Sequence, residues 1–336
     1  MAQGPASVGA ARSAPADGDS SATAFRASSV DPLRLLCERR AQGLRCCLVT
    51  IVGIEGTSPR RLGAQLVISE DGEVAGSISG GCLDASVAAE AMRCLEQARS
   101  QRVRYGAGSP YIDLTLPCGS GIDLQFDGAL GADTVQCIGD DLAARRVVAL
   151  TWPAEDQPPI VGERGAAGAI HVCVAPRLRV YVCGDGENLS AFCRVARASR
   201  IDVVALHPQA DRNAGLRDLG VETHALQSPN VLPALAWDAF SAGLTLFHDH
   251  TWELPFLMQA LRADALLVGA MGSQRAQALR VEQLRALGAD ESEILRLRGP
   301  VGLLPRARNP EELAISILGE LIQSYRQQCV AHGIAV

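Results

Sequence analysis

The chain has 336 residues, 48% of them hydrophobic and 20% charged, and a formal net charge of −6. That length suits about two globular domains plus tails, and the acidic balance speaks against a general nucleic-acid binder. No apolar run reaches the ~18 residues needed to cross a bilayer, so we expect no membrane contact. All 31 basic residues are arginine. Without lysine there is no Walker A phosphate loop, no Schiff-base chemistry with pyridoxal phosphate, and no dehydrogenase that depends on a Tyr–Lys pair. The 11 cysteines are scattered, odd in number and form no Cys-x-x-Cys pair. This pattern fits a reducing cytoplasm, with most thiols inert in the core, better than a disulfide scaffold or a structural zinc site.

In chain order, residues 1–29 are rich in Ala, Gly, Ser and Asp and lack an apolar signal region, so they read as a disordered tail. A first helix begins at Asp31-Pro32, with Leu33, Leu36 and Cys37 on one face. Apolar strands follow over 46–54, 64–69 and 74–78, the last two around the Asp71-Gly72 turn. A helix is expected over 83–98. Strands over 113–116 and 121–126 flank the turn Cys118-Gly119-Ser120-Gly121, and a helix near 134–144 and a strand over 147–151 close a first domain, residues 30–151. Residues 152–176 carry several prolines and glycines and read as a strand-containing connector. From 177 to 327 strands and helices alternate, the signature of a doubly wound parallel sheet whose ligand crevice lies at the carboxyl ends of its strands. Residues 328–336 form a second tail. The expected fold class is therefore α/β, an N-terminal α/β domain followed by a Rossmann-like domain.

Six segments could carry chemistry. Gly56-Thr57-Ser58-Pro59-Arg60-Arg61 places two arginine forks in one loop, suited to phosphate or carboxylate oxygens, although a solvated turn has the same composition. Gly76-Ser77-Ile78-Ser79-Gly80-Gly81-Cys82 runs from strand through a Gly-Gly turn into a helix. Free amides there favour anions, and Cys82 at the helix start is biased toward thiolate; a small core cysteine in a tight turn is the plain alternative. Cys118-Gly119-Ser120-Gly121 is a second cysteine-bearing turn. Gly184-Asp185-Gly186-Glu187 opens a dinucleotide fingerprint but carries Leu189 at the third glycine position, two acids where a pyrophosphate would rest, and Leu206 and His207 where a ribose-binding acid belongs; it speaks against NAD(P). His248-Asp249-His250 with Glu253 could hold a metal or relay a proton, or simply bond a loop together. Gly269-Ala270-Met271-Gly272-Ser273-Gln274-Arg275 combines a Gly turn, a Ser N-cap and a first-turn arginine, a cradle for an anion that could equally be an ordinary β–α turn.

Taken together, these segments resemble the XdhC/CoxI family of molybdenum hydroxylase maturation factors. The resemblance rests on Gly56 to Ala64, Gly76 to Asp84, Cys118 to Gly121, Gly184 to Gly186, His248 to His250, Gly269 to Arg275, Gly299-Pro300-Val301-Gly302-Leu303 and Asn309 to Ile317, in family order from about Asp31 to Gln323. Two segments depart from it: Gly184-Asp185-Gly186-Glu187 replaces a Gly-Ala-Gly-His, and Leu304-Pro305-Arg306-Ala307 replaces an Asp-Ile-Gly-Ala. The resemblance implies a chaperone, not an enzyme. Such a chaperone binds molybdenum cofactor, in its molybdopterin or cytidine dinucleotide form. It assists sulfuration with a cysteine desulfurase and delivers the cofactor to a xanthine dehydrogenase-like or aldehyde oxidoreductase-like apoenzyme. A homodimer is also implied. The residues expected to hold the cofactor are Ser58, Arg60, Arg61, Ser79, Gly80, Gly81, Cys82, Cys118, Gly119, Gly184, Gly186, Gly272, Ser273 and Arg275. Among them, Arg60, Arg61, Gly272, Ser273 and Arg275 are expected to share one phosphate or nucleotide, and Cys82 to meet the molybdenum. Competing readings are an NAD(P)-dependent oxidoreductase and a cofactor-free scaffold.

Overall fold

The computed structural model describes residues 25–79, 83–109, 119–162, 168–208, 213–247, 251–305 and 307–335. Gly80, Gly81, Cys82, Cys118, the expected strand over 113–116 and the His248-Asp249-His250 cluster lie outside them.

The first sheet has six strands in the order β1-β4-β3-β2-β6-β5. They are β1 (Arg26–Ser28), β2 (Cys46–Glu55), β3 (Gln65–Ser69), β4 (Glu73–Gly76), β5 (Ser100–Gly106) and β6 (Gly121–Asp127). All neighbours pair antiparallel except β1 and β4. Two differences from the sequence reading stand out. The strand β1 falls inside the segment read as tail, because Arg26 to Ser28 complete the ladder on the edge of β4. The strand β5 was not expected. Its alternating Gln-Arg-Val-Arg-Tyr buries only Val103 and Tyr105, the half-covered pattern of an edge strand.

One face of this sheet is covered by α2 (Asp84–Glu96), which buries Val87, Ala91, Cys94 and Leu95 against Val49, Ile51, Leu124 and Phe126. The other face carries α1 (Pro32–Ala41), α3 (Ala132–Ala143) and a separate three-stranded antiparallel sheet. Its strands are β7 (Val148–Trp152), β8 (Ile160–Val161) and β9 (Ile170–Val174), in the order β8-β7-β9. Leu150, Trp152 and Val172 share one core with Leu33, Leu36 and Leu48. The strand read as closing the first domain pairs with the strands of the connector.

The second half is a six-stranded, wholly parallel sheet in the order β12-β11-β10-β13-β14-β15. Its strands are β10 (Arg179–Gly184), β11 (Asp202–His207), β12 (Glu222–Ala225), β13 (Ser241–Leu246), β14 (Leu267–Ala270) and β15 (Leu297–Arg298). Chain order reverses between β10 and β13, the 3-2-1-4-5-6 arrangement of a Rossmann fold, and crevices open at such a switch point. The helices between and after these strands are α4 (Gly186–Ala198), α5 (Asn213–Asp218), α6 (Glu253–Arg262), α7 (Gln274–Ala286), α8 (Glu291–Arg296) and α9 (Pro310–Ala331). The α/β class and the Rossmann-like second half are as expected. Helix α9 runs past residue 327, where the sequence reading placed a tail, and its Cys329, with Ile334 just beyond its end, is buried against Phe240. There the halves meet, reinforced by Arg145 with Asp238 at 2.6 Å and by the Tyr325 hydroxyl donating to the Pro176 carbonyl at 2.9 Å.

Candidate functional site

Sheet register brings three of the singled-out loops to one end of the first sheet. Gly121, where β6 begins, lies opposite Glu55, where β2 ends. Gly76, where β4 ends, lies opposite Leu66 near the start of β3. The Gly56 end of the loop therefore meets the turn at Gly119-Ser120, whereas Gly76 lies level with Val49, further back along β2, and the segment leaving β4 at Ser77 adjoins the Gly63 end of the same loop. The contact is close: a Cβ placed on Gly56 would sit 3.4 Å from that of Ser120. Ser79, at the end of the segment leaving β4, bonds to the start of α2. Its hydroxyl donates to Asp84 at 2.8 Å and accepts the Leu83 amide at 2.9 Å. Its observed work is to tie the strand end to the start of α2.

Arg60 and Arg61 leave the loop exposed, after a local turn in which the Ser58 hydroxyl accepts the Arg60 amide at 3.2 Å. They line a cavity of about 970 Å³ that runs along Gly63 to Leu66, Gly76, Ser77 and the first turn of α2. The cavity is strongly basic. Arg34, Arg60, Arg61, Arg145, Arg146, Arg177 and Arg200 border it, against only Asp31 and Asp84. Arg145, Arg146 and Arg177 are paired with carboxylates. Among the described residues, Arg34, Arg60, Arg61 and Arg200 have no carboxylate within ion-pair distance, and Arg61 donates to the Ala335 carbonyl at 2.8 Å. Guanidinium groups without a counter-charge around a shared cavity match an oxyanion ligand. The sequence pointed to only two of these arginines. The others come from α1, the α3–β7 turn, the connector and the α4–β11 turn, and nothing local marks them as neighbours.

A second cavity, of about 1010 Å³, opens at the carboxyl ends of the parallel strands. Gly272, Ser273 and Gln274 form one wall, Pro300 to Pro305 another, and Asn188 and Phe247 complete it. Ser273 caps α7, accepting the Ala276 amide at 3.1 Å, and Gly272 sits at φ +143°, a conformation that favours glycine. The first-turn amides of α7 lack intrahelical partners and face an anion-friendly end of the helix. The Gly-Pro-Val-Gly-Leu segment is fixed by close packing. Gly302 has φ +116°, and a Cβ there would come within 2.5 Å of the Ser316 hydroxyl on α9.

Beneath this cavity lies a network that sequence reasoning missed. Arg280, 1% exposed, donates to both carboxylate oxygens of the fully buried Glu253 at 2.8 and 3.2 Å, and to the Met271 carbonyl at 2.8 Å. Thr245 donates to Glu253 at 3.1 Å. Glu253, considered above as part of a metal or proton-relay cluster, is thus engaged in an internal ion pair. Among the described residues no cluster of three or more metal-binding side chains occurs.

The structure does not bring Arg60 and Arg61 together with Gly272 and Ser273. The two pairs line different cavities, at the end of the first sheet and at the carboxyl edge of the second. Arg275 stands exposed on α7 and is not among the lining residues. Gly184 and Gly186 line neither cavity. Gly184 allows β10 to pack on Leu246, and the Asp185 carboxylate accepts the Gly186 amide at 2.6 Å, so the acid caps its own helix where a pyrophosphate would otherwise lie.

Comparison with known proteins follows the same division. The model of the XdhC and CoxI family matches residues 39–106, and that of the XdhC Rossmann domain matches residues 180–321. A molybdenum cofactor insertion chaperone, PaoD of Escherichia coli strain K12, is 33% identical over 291 residues, 86% of each chain. The chain belongs to the XdhC and CoxI family. An uncharacterised protein of the same bacterium, YqeB, is 22% identical over 82% of this chain but only 43% of its own length. A solved structure described as a xanthine dehydrogenase from Bacillus halodurans shares the fold, with a TM-score of 0.70 and 20% identity over 89% of this chain and 96% of that one. For this XdhC-type chain the family matches take in the Arg60-Arg61 loop and the residues lining the second cavity, while Arg34, Arg145, Arg146 and Arg177 lie outside the matched residues. Among the described residues no helix is long and apolar enough to cross a membrane.

Proposed function

We propose that the chain is a molybdenum cofactor chaperone, which holds the cofactor as cargo and hands it to a molybdenum hydroxylase apoenzyme. The relative named as an insertion chaperone supports this reading across most of both chains. One geometric observation carries it: the convergence of the Gly56–Gly63 loop and the Gly76–Ser77 strand end on a basic cavity with four arginines that no carboxylate among the described residues neutralises. A bulky pterin that ends in phosphate needs such a pocket, with glycines that admit it to the backbone and guanidinium forks for its oxygens. In this reading Cys82 and Cys118, which follow and precede described loop residues in sequence, are the thiols offered to the molybdenum and its sulfur ligands, and thiolates suit that metal by softness. We further propose that sulfuration of the cargo, with a cysteine desulfurase as partner, takes place on this chain, and that the recipient is of the xanthine dehydrogenase or aldehyde oxidoreductase type.

The test is direct. Purified protein is incubated with molybdenum cofactor and desalted, then assayed for pterin fluorescence and molybdenum. Near-stoichiometric retention of both is expected. A folded protein that retains neither would leave the scaffold reading standing and remove the carrier.

A further inference from the structure

The small three-stranded sheet, whose Val174 borders the basic cavity, carries an arrangement that the chaperone reading does not use, and this inference does not rest on that reading. His171 and Cys173 are two residues apart on β9 and so project from the same face, opposite Val172, which is buried in the core. The Cys173 Sγ lies 3.2 Å from His171 Nε2. Across the ladder, Thr151 on β7 is the register partner of His171, and its Oγ1 lies 2.8 Å from Nδ1. Thr151 is 1% exposed, whereas His171 and Cys173 are both half-buried. A thiol against an imidazole, with the imidazole oriented by a third group, is the general pattern of an activated nucleophile. Paired neighbouring strands carry all three groups. Among the described residues, Tyr325 and Cys329 on α9 belong to the hydrophobic cluster against which Cys173 packs, and Arg61 acts electrostatically on both.

We propose that Cys173 is a nucleophilic thiol, with His171 as its base and Thr151 as the residue that positions the base, and that its substrate class is a sulfur electrophile containing an S–S bond. With Nδ1–H donating to Thr151, the Nε2 lone pair faces the thiol and takes its proton. The Cys173 sulfur then attacks one sulfur of R–S–S–R′. A Cys173–sulfur bond forms, the S–S bond breaks, and R′S⁻ leaves with the proton returned by His171. The same exchange has two sources. A disulfide leaves a mixed disulfide on Cys173. A persulfide, R–S–S–H attacked at its terminal sulfur, leaves Cys173–S–S–H and releases R–SH. In both, atoms and electrons balance without another oxidant or reductant.

The chain carries its own reference thiol in Cys137, which is exposed on α3. The reduced full-length protein is treated at pH 6.5 with limiting dithiobis-nitrobenzoate, and the labelled peptides are mapped by mass. Cys173 is expected to label about tenfold faster than the more exposed Cys137. His171→Asn and Thr151→Val should remove that advantage, and Thr151→Ser should keep it. These variants are first checked for an unchanged melting temperature, because a purely packing role for Thr151 would show there and leave the rate ratio alone. Glutathione disulfide and glutathione persulfide then separate the sources: a glutathione adduct on Cys173 marks the first, and a single added sulfur atom marks the second. The proposal is overturned if Cys137 labels first, if His171→Asn leaves the ratio unchanged, or if neither glutathione reagent modifies Cys173.

Discussion

Arg280 and Glu253 form a bidentate ion pair, both essentially excluded from solvent, although 27 residues and two helices separate them. The pair joins the end of β13 through Thr245, the end of β14 through the Met271 carbonyl, and the start of α6 to the middle of α7. It is therefore the brace beneath the crevice of the parallel sheet.

Breaking this brace from one side should be costly. Glu253→Gln leaves the Arg280 charge buried without a counter-charge, and a loss of about 3–5 kcal/mol is expected. Replacing both partners with apolar residues of similar size, Glu253→Leu with Arg280→Met, should recover most of that loss, because no charge is then stranded. Urea unfolding of the two single variants and the double variant measures it. Additive losses in the double variant would show that the pair is not coupled.

How far could such relationships be foreseen? Caps and turns were legible because their signals are local. Asp31-Pro32 opens α1, and Ser273 caps α7, accepting the Ala276 amide at 3.1 Å. The edge strands β5 and β12 were not seen, since Glu222 to Ala225 and Ser100 to Gly106 bury too little to stand out from loop. For the candidate site, sequence identified the Arg60-Arg61 loop and the Gly272-Ser273 turn but grouped them around one phosphate. Their separation into two cavities follows from strand pairing over long distances, to which short motifs are blind. Arg280 looks like any helical surface arginine until the fold places Glu253 against it.

A second prediction concerns pH. Asp127, at the end of β6, is buried, and burial pushes its carboxyl up to about 7, partly offset by the Trp152 indole N–H that donates to it at 3.0 Å. The folded protein therefore holds this proton at pH values where the unfolded chain has released it. The stabilising effect of the proton is complete at low pH, declines as pH rises from the ordinary carboxylate range toward 7, and is gone above it. Asp127→Asn keeps an acceptor for Trp152 and never ionises. It should melt close to the parent at pH 4.5 and roughly 2–6 °C higher at pH 8. Equal shifts at both pH values would mean that Asp127 does not titrate in this range.

A third concerns Gly302. Its φ of +116° and the 2.5 Å approach of the Ser316 hydroxyl leave no room for a methyl group. Gly302→Ala should destabilise the protein by about 2–4 kcal/mol from strain and overpacking combined. The additional change Ser316→Gly should relieve only the steric part, because the backbone conformation stays unfavourable. Thermal melts of the three variants separate the two contributions.

The last prediction decides which cavity holds the cargo. If the basic cavity does, Arg60→Ser should lower pterin retention by about tenfold, the loss expected for one charge-assisted contact to phosphate. Arg60 is the cleaner probe, because Arg61 also holds the Ala335 carbonyl and its removal would disturb the end of the chain. On the opposite side, Ser273→Ala removes the cap of α7 at a cost of about 1 kcal/mol in stability. Leu304→Asp places a negative charge on the rim of the second cavity, next to any anion bound at the α7 start. Neither change touches the basic cavity, so both variants should retain pterin as the parent does. Equilibrium fluorescence titration at two salt concentrations measures all three variants, and the parent affinity should fall with salt, since exposed arginines supply the attraction. The reverse pattern, with retention lost in Leu304→Asp and kept in Arg60→Ser, would move the cargo to the Rossmann crevice and leave the arginine-lined cavity for another anion.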